Sequence, residues 1–139
     1  IGAVFSHGGQ SCALATDLGT IDRHICDLLL NCGILVIEAN HDERMLMNGP
    51  YPQSLKQRVL SDRGHLSNRV CGAFCARLAR EGAVRQITLA HLSNDNNTPE
   101  AAYGAVAASL GAAGFDIGRD IKLYVARRSD ISEMMVHDD

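Results

Sequence analysis

Arg85-Gln86-Ile87-Thr88-Leu89-Ala90-His91-Leu92 decides the fold class of this chain. Residues 85–90 form a short apolar run of the kind that makes a buried strand, and a histidine follows it at once. In α/β proteins the ligand crevice lies beyond the carboxyl ends of the strands, so His91 stands where such proteins keep their chemistry. The residue alone is equally compatible with a strand-end histidine bonded to a neighbouring carbonyl. The polar stretch Ser93-Asn94-Asp95-Asn96-Asn97 after it reads as a loop, and binding residues concentrate on loops carried by a rigid frame.

Working outward, Ile34-Leu35-Val36-Ile37 is a continuous β-type run, as expected of a central strand buried on both faces. Residues 2–6 and 11–16 read as two strands joined by a hairpin turn at His7-Gly8-Gly9-Gln10. A helix is expected over 21–30, with Ile21, Ile25, Leu28 and Leu29 at helical spacing and a stop at Asn31-Cys32-Gly33. The two prolines and turn-forming asparagines of 40–52 predict a loop with at most a short helix. Residues 53–60 form a short helical run. Ser67 is the expected cap of a helix through residue 80 that buries Val70, Phe74 and Leu78 and stops at Gly82. Thr98-Pro99-Glu100 starts an alanine-rich helix to about residue 113, and 121–126 is the last strand. The order of hairpin, helix, strand, helices, strand, helix and strand implies a layered α/β unit over 1–128 with helices covering the sheet, followed by a polar tail over 129–139.

Composition narrows the class further. The 139 residues are 46% apolar and 21% charged, an ordinary soluble balance, and with 4% aromatics and no Trp the core has to be aliphatic. A net charge of −3 gives no global attraction to nucleic acid or anionic membranes, so phosphate binding would have to be local. No run approaches the roughly 18 apolar residues of a membrane span. The five cysteines show no C-x-x-C spacing, which excludes zinc-ribbon and thioredoxin readings and suits reduced thiols in a cytoplasmic protein. The chain starts without Met and inside a strand-like run, as a fragment would.

Several polar residues flank these elements. Asp17 ends the second strand just before Gly19 and is read either as a metal-bridging carboxylate or as an ordinary turn cap. His65 stands between Gly64 and a helix start, either flanking the cap or acting as an acid/base group beside an amide-rich helix terminus. Glu38 ends a buried strand, where a carboxylate needs a partner, and Asn40, His41 and Asp42 follow it. His7, His24 and His137 carry no signal, and Lys56, Arg58, Arg63 and Arg69 read as solvated surface charges more readily than as phosphate contacts. There is no Gly-x-Ser-x-Gly element, against a serine hydrolase.

Taken together, Ala15-Thr16-Asp17-Leu18-Gly19, Ile37-Glu38-Ala39-Asn40-His41-Asp42, Gly64-His65-Leu66-Ser67-Asn68 and Leu89-Ala90-His91-Leu92-Ser93 resemble the metallo-β-lactamase-fold hydrolases, and among them the WalJ-type (YycJ-like) exonuclease branch. Gly49-Pro50-Tyr51-Pro52, Leu60-Ser61-Asp62-Arg63 and Asn96-Asn97-Thr98-Pro99-Glu100 extend the likeness from about residue 1 to 127. The resemblance implies the C-terminal half of an αβ/βα sandwich with a mixed sheet. It also implies two divalent ions, zinc or manganese, that activate a water to attack a phosphodiester. Asp17 then matches a bridging aspartate and His91 the last histidine ligand, an incomplete set. His65 resembles the proton donor to the leaving alkoxide in related tRNA-processing nucleases, with Glu38 orienting it. His41, Asp42, Ser67 and Asn68 would support the site or the substrate from behind these groups.

The expected activity is that of a nuclease on single-stranded DNA or RNA, with the remaining ligands in a missing N-terminal half and no turnover by residues 1–139 alone. The same fold would also suit a thioester or lactone hydrolase. A non-catalytic α/β binding module is the reading from another class. The oligomeric state is left open by the sequence.

Overall fold

The structure, a computed structural model, describes residues 2–132, 135 and 136. His137 and the end of the expected tail lie outside the described residues.

A hairpin opens the chain. Strands β1 (Gly2–His7) and β2 (Gln10–Ala15) pair antiparallel across Gly8 and Gly9, whose φ of 58° and 82° is the left-handed geometry that a two-residue hairpin turn requires. Strands β3 (Ile34–Glu38), β4 (Gln86–Ala90) and β5 (Lys122–Val125) then add in parallel, giving a mixed five-stranded sheet in the order β1-β2-β3-β4-β5. Helix α1 (Arg23–Leu29) connects β2 to β3. Helices α2 (Glu43–Asn48), α3 (Gln53–Val59) and α4 (Asn68–Glu81) connect β3 to β4, and α5 (Pro99–Ala112) connects β4 to β5.

Each parallel crossover steps one strand further in the same direction. Right-handed crossovers of that kind place their helices on one face of the sheet. Burial follows the rule. Ala13, Ala15, Leu35, Ile37, Ile87, Leu89 and Leu123 alternate along the strands and are buried in one cluster with Cys26 and Leu29 of α1, Cys71, Cys75 and Leu78 of α4, and Val106 and Leu110 of α5. Each fully buried Leu or Ile contributes about 2 kcal/mol of apolar transfer. The opposite pleat, with Cys12, Leu14, Ile34, Val36 and Tyr124, is only half-buried. Tail residues reach this face: Thr88 Oγ1 donates to Met135 Sδ at 2.9 Å, and the Gln86 amide donates to the Val136 carbonyl.

Local signals act as the sequence suggests at most element ends. Asp22, Ser67 and Thr98 accept from the backbone N–H three residues on, capping α1, α4 and α5. Residues 43–48 are the short helix that the sequence allows in this stretch, formed because the Asp42 carboxylate accepts from Arg44 N and Met45 N and so offsets the nucleation cost. Val70, Leu28 and Lys56 differ from expectation. Val70 is 37% exposed and Leu28 is 50% exposed, since the buried stripes centre instead on Cys71, Phe74, Cys75 and Leu78 in α4 and on Cys26 and Leu29 in α1. Lys56 is buried rather than solvated, its Nζ donating to the Met47 carbonyl at 2.8 Å where α2 ends. All five cysteines are free, and Cys71 and Cys75 lie one turn apart with Sγ atoms 3.9 Å from each other. Among the described residues, no helix is long and apolar enough to cross a membrane.

Candidate active site

Three adjacent parallel strands end together. The register pairs Ala15 with Ile37 and Glu38 with Ala90, so the residues just beyond β2, β3 and β4 converge on one crevice. Asp17 and His91 sit there with φ of 55° and 56°, and among the described residues they are the only non-glycine positions with positive φ. That conformation costs about 1 kcal/mol at each residue, and it persists only where surrounding bonds impose it.

The bonds are visible. Glu38 is fully buried, and its carboxylate accepts three N–H groups. Oε2 accepts from Leu18 N at 2.8 Å, which fixes the backbone next to Asp17. Oε1 is 2.6 Å from His65 Nδ1 and 2.9 Å from His91 Nδ1. A carboxylate only accepts, so each Nδ1 carries a proton toward Glu38 and each Nε2 is left facing away from it. His91 Nε2 lies 3.8 Å from Asp17 Oδ1, and the two imidazole centroids are 5.3 Å apart. Asn40 holds the same loops from below: its side-chain amide donates to the His91 carbonyl at 2.9 Å, its N–H donates to Leu66 O, and its carbonyl accepts from Ser93 N.

His65 is delivered by a tight turn after α3. Its N–H donates to the Val59 carbonyl at 3.0 Å, and a Cβ on Gly64 would overlap the carbonyl oxygens of Arg58 and Val59. Only glycine fits so close an approach.

Donor atoms of Asp17, His65 and His91 all lie within 4.8 Å of one another, a grouping able to hold a metal ion. One carboxylate oxygen and two imidazole nitrogens are the set that an open catalytic zinc takes from a protein. They fit one ion; no other such group of His, Cys, Asp or Glu occurs among the described residues to complete a site for a second. The three line a cavity of about 480 Å³ that also meets Asn40, Tyr51, Asp95 and Asn96, with Tyr51 donating to Asp95 Oδ2 at 3.0 Å across its rim.

The other expected residues stand behind this surface. His41 is 1% exposed, and neither ring nitrogen has a hydrogen-bond partner among the described residues. Burial pushes its pKa down, against the opposing pull of Glu43. Asp42 is occupied in capping α2. Ser67 donates to Glu43 Oε1 at 2.8 Å while capping α4, and Arg69 bonds the same oxygen and holds the Glu43 carboxyl below its ordinary range. Asn68 and Asn97 exchange two 2.8 Å amide bonds, both side chains buried, and Asn97 also donates to the Ala39 carbonyl. The structure thus brings Asp17, Glu38, His65 and His91 into direct contact or near-contact, whereas Asp42, Ser67 and Asn68 bond within the neighbouring loops and helix ends and His41 is buried behind the site. Sequence reasoning assigns Asn97 and Tyr51 no role. Asn-Asn before Thr-Pro reads as loop composition, and nothing local distinguishes a buried bracing amide from an exposed one.

No protein-family profile matches the chain. Among characterised proteins, it is 38% identical over 120 residues to Exodeoxyribonuclease WalJ of Streptococcus pneumoniae serotype 2, covering 86% of this chain and 44% of that protein. It is 35% identical over 120 residues to Exodeoxyribonuclease YycJ of Bacillus anthracis, covering 86% of this chain and 45% of that protein. The chain therefore spans a little under half the length of these relatives. Over that span its sequence is similar to the WalJ and YycJ proteins, in line with the resemblance its motifs carry.

Proposed function

We propose that this chain is the C-terminal half of a metal-dependent phosphodiesterase of the metallo-β-lactamase αβ/βα fold, a cytoplasmic nuclease acting on single-stranded DNA or RNA. The observation that carries the reading is the convergence of Asp17, His65 and His91 around the buried carboxylate of Glu38. The names of the relatives favour a nuclease, and DNA before RNA. Asp17 and His91 are the residues that would hold the ions, zinc or manganese, and a bound ion would supply a hydroxide nucleophile at neutral pH. Further ligands belong to a part of the protein outside these residues, because a dinuclear site needs more donors than converge here.

In this reading His65 is left free of the ions and is the proton donor to the departing alkoxide: as the imidazolium it would keep Nδ1–H on Glu38, which orients the ring, and give up the proton carried on Nε2. That hydrogen bond points Nε2 into the cavity, where a leaving oxygen would sit. The same Glu38 oxygen orients His91, so one buried group sets the aim of both rings.

The test compares the full protein with its Asp17→Ala, His91→Ala and His65→Ala variants on single-stranded DNA, single-stranded RNA and a thioester panel, with and without chelator. We expect chelator-sensitive DNA cleavage that falls at least about 100-fold in the Asp17 and His91 variants. Residues 1–139 alone should give no turnover. Thioester hydrolysis without nuclease activity would transfer the site to another substrate class, and full activity in the Asp17→Ala protein would remove the metal assignment.

A further inference from the structure

A second cavity, of about 470 Å³, opens at the carboxyl ends of β4 and β5 and at the N-terminus of α5. Leu92, Asn94, Thr98, Glu100, Arg127 and Arg128 line it, and Leu92 and Asn94 also line the active-site cavity. The two cavities therefore lie side by side and share a wall that includes Leu92, the residue next to His91.

Resting on the nuclease reading above, we propose that Arg128, with Arg127 beside it, is a subsite for a backbone phosphate of the single-stranded nucleic acid, one step along the chain from the bond being cleaved. The chemistry of the two arginines supports this. One Nη of Arg128 donates to the Leu92 carbonyl at 2.8 Å, which fixes the guanidinium at the junction of the cavities. A carbonyl bond orients the group without neutralising it, and most of its five N–H donors stay open on an exposed side chain. Arg69, Arg77 and Arg119 each bond a carboxylate, whereas neither Arg127 nor Arg128 has an acidic partner among the described residues. Two cations against the single carboxylate of Glu100 make this cavity locally positive on a chain whose net charge is −3. The planar fork of arginine matches two phosphate oxygens at once. The amino end of the 14-residue helix α5 adds a favourable dipole from the opposite wall.

A larger cavity of about 580 Å³ at the other end of the strands also holds arginines, but its Arg119 is tied to Asp116 and Asp120. It also lies a strand's length from the crevice, roughly 17 Å for five residues.

The experiment uses the full protein in chelator, so that a fluorescent oligothymidylate binds uncleaved, and reads affinity by anisotropy across a salt series. Arg128→Gln keeps a donor for the Leu92 carbonyl and removes the charge; Arg127→Ala/Arg128→Gln removes both charges. We expect the double variant to bind about tenfold more weakly at low salt, with the slope of log K against log salt reduced by roughly 0.7 for each phosphate no longer neutralised. With metal restored, hydrolysis of bis(p-nitrophenyl) phosphate, which has no neighbouring phosphate, should match the parent. Affinity and slope unchanged in the double variant would overturn the subsite. So would a parallel loss on the small diester, since the arginines would then be acting through the Leu92 backbone on the catalytic geometry. Arginine-dependent binding by a protein that hydrolyses no phosphodiester would uphold the subsite and refute the nuclease reading, and a parent protein that binds no oligonucleotide would overturn both.

Discussion

Glu38→Gln isolates the group on which the candidate site depends. The carboxylate accepts from Leu18 N at 2.8 Å, His65 Nδ1 at 2.6 Å and His91 Nδ1 at 2.9 Å, with no exposure to water. Glutamine keeps the shape but has one acceptor oxygen and one donor amide. If the oxygen stays toward the rings, the amide meets the Leu18 N–H donor to donor, which forfeits one bond and leaves buried donors unpaired at about 1–3 kcal/mol. The two ring bonds also fall from charge-assisted to neutral, a further loss of about 1 kcal/mol each. Against this, the variant no longer desolvates a carboxylate, which in the parent costs several kcal/mol. The net expectation is a destabilisation of about 2 kcal/mol, read as a fall in the urea midpoint of the metal-free full protein. Metal affinity is the sharper readout, because there the desolvation offset does not cancel. Losing the carboxylate behind a ligating histidine lowers metal affinity 10–100-fold, so zinc titration calorimetry should show at least a tenfold weakening. A glutamine variant with parental zinc affinity would refute the claim that Glu38 aims the two rings, whatever its stability.

Three further outcomes follow from the same geometry. Asn97→Ala removes the amide exchange with Asn68 and the bond to the Ala39 carbonyl, and should cost about 3 kcal/mol in urea unfolding; the Asn68→Ala/Asn97→Ala double variant should cost less than the sum, and strict additivity would mean that the pair is not coupled. Gly64→Ala forces the Arg58 and Val59 carbonyls away from a new Cβ, so a loss of about 3 kcal/mol or more is expected by the same assay; a variant within 0.5 kcal/mol or so of the parent would show that the turn has room to spare. Acid should destabilise in two stages. His41 titrates lower when folded than its ordinary 6.5 because it is buried neutral, so stability is complete above that value and falls as pH drops through it. Glu43, held below its ordinary 4.5 chiefly by Arg69, adds a second loss below that pH. Urea midpoints over a pH series check both, and His41→Gln should flatten the first stage alone.

The elements were legible where a local signal has a local cause. Thr98 with Pro99, Ser67 and Gly82 bound their helices because capping is settled within four residues. The convergence of the candidate residues Asp17, Glu38, His65 and His91 was legible in part, as strand-end and turn positions together with the motifs around them. Their mutual bonding was not, because it depends on register: Glu38 opposite Ala90 brings the carboxylate beside His91 across 53 residues of chain. Asp42 misleads for a related reason. An acidic residue in an acidic cluster looks like site chemistry until the backbone turns into α2 beneath it and takes the carboxylate as a cap. Lys56 looks solvated because a lysine usually is, and only the α2 carbonyl at Met47 explains its burial.

The two left-handed residues show why the site needs its braces. Asp17 and His91 occupy a conformation that glycine would adopt without cost, yet glycine would supply no donor atom. Each is therefore held by a neighbour's bond: Leu18 N to Glu38 beside Asp17, and the Asn40 amide to the His91 carbonyl. Glu38 and Asn40 lie two positions apart, at the end of the central strand and just beyond it, so one short stretch pins both loops and one of its side chains orients both imidazoles. The helices shield this stretch from one side of the sheet only, leaving Asp17 and His91 close to half exposed. On the proposed reading, further ligands approach from that open side, onto donors whose backbone is already fixed before any ion binds. The strain at the two candidate ligands is then the cost of preorganisation, offset by bonds from residues that touch neither metal nor substrate.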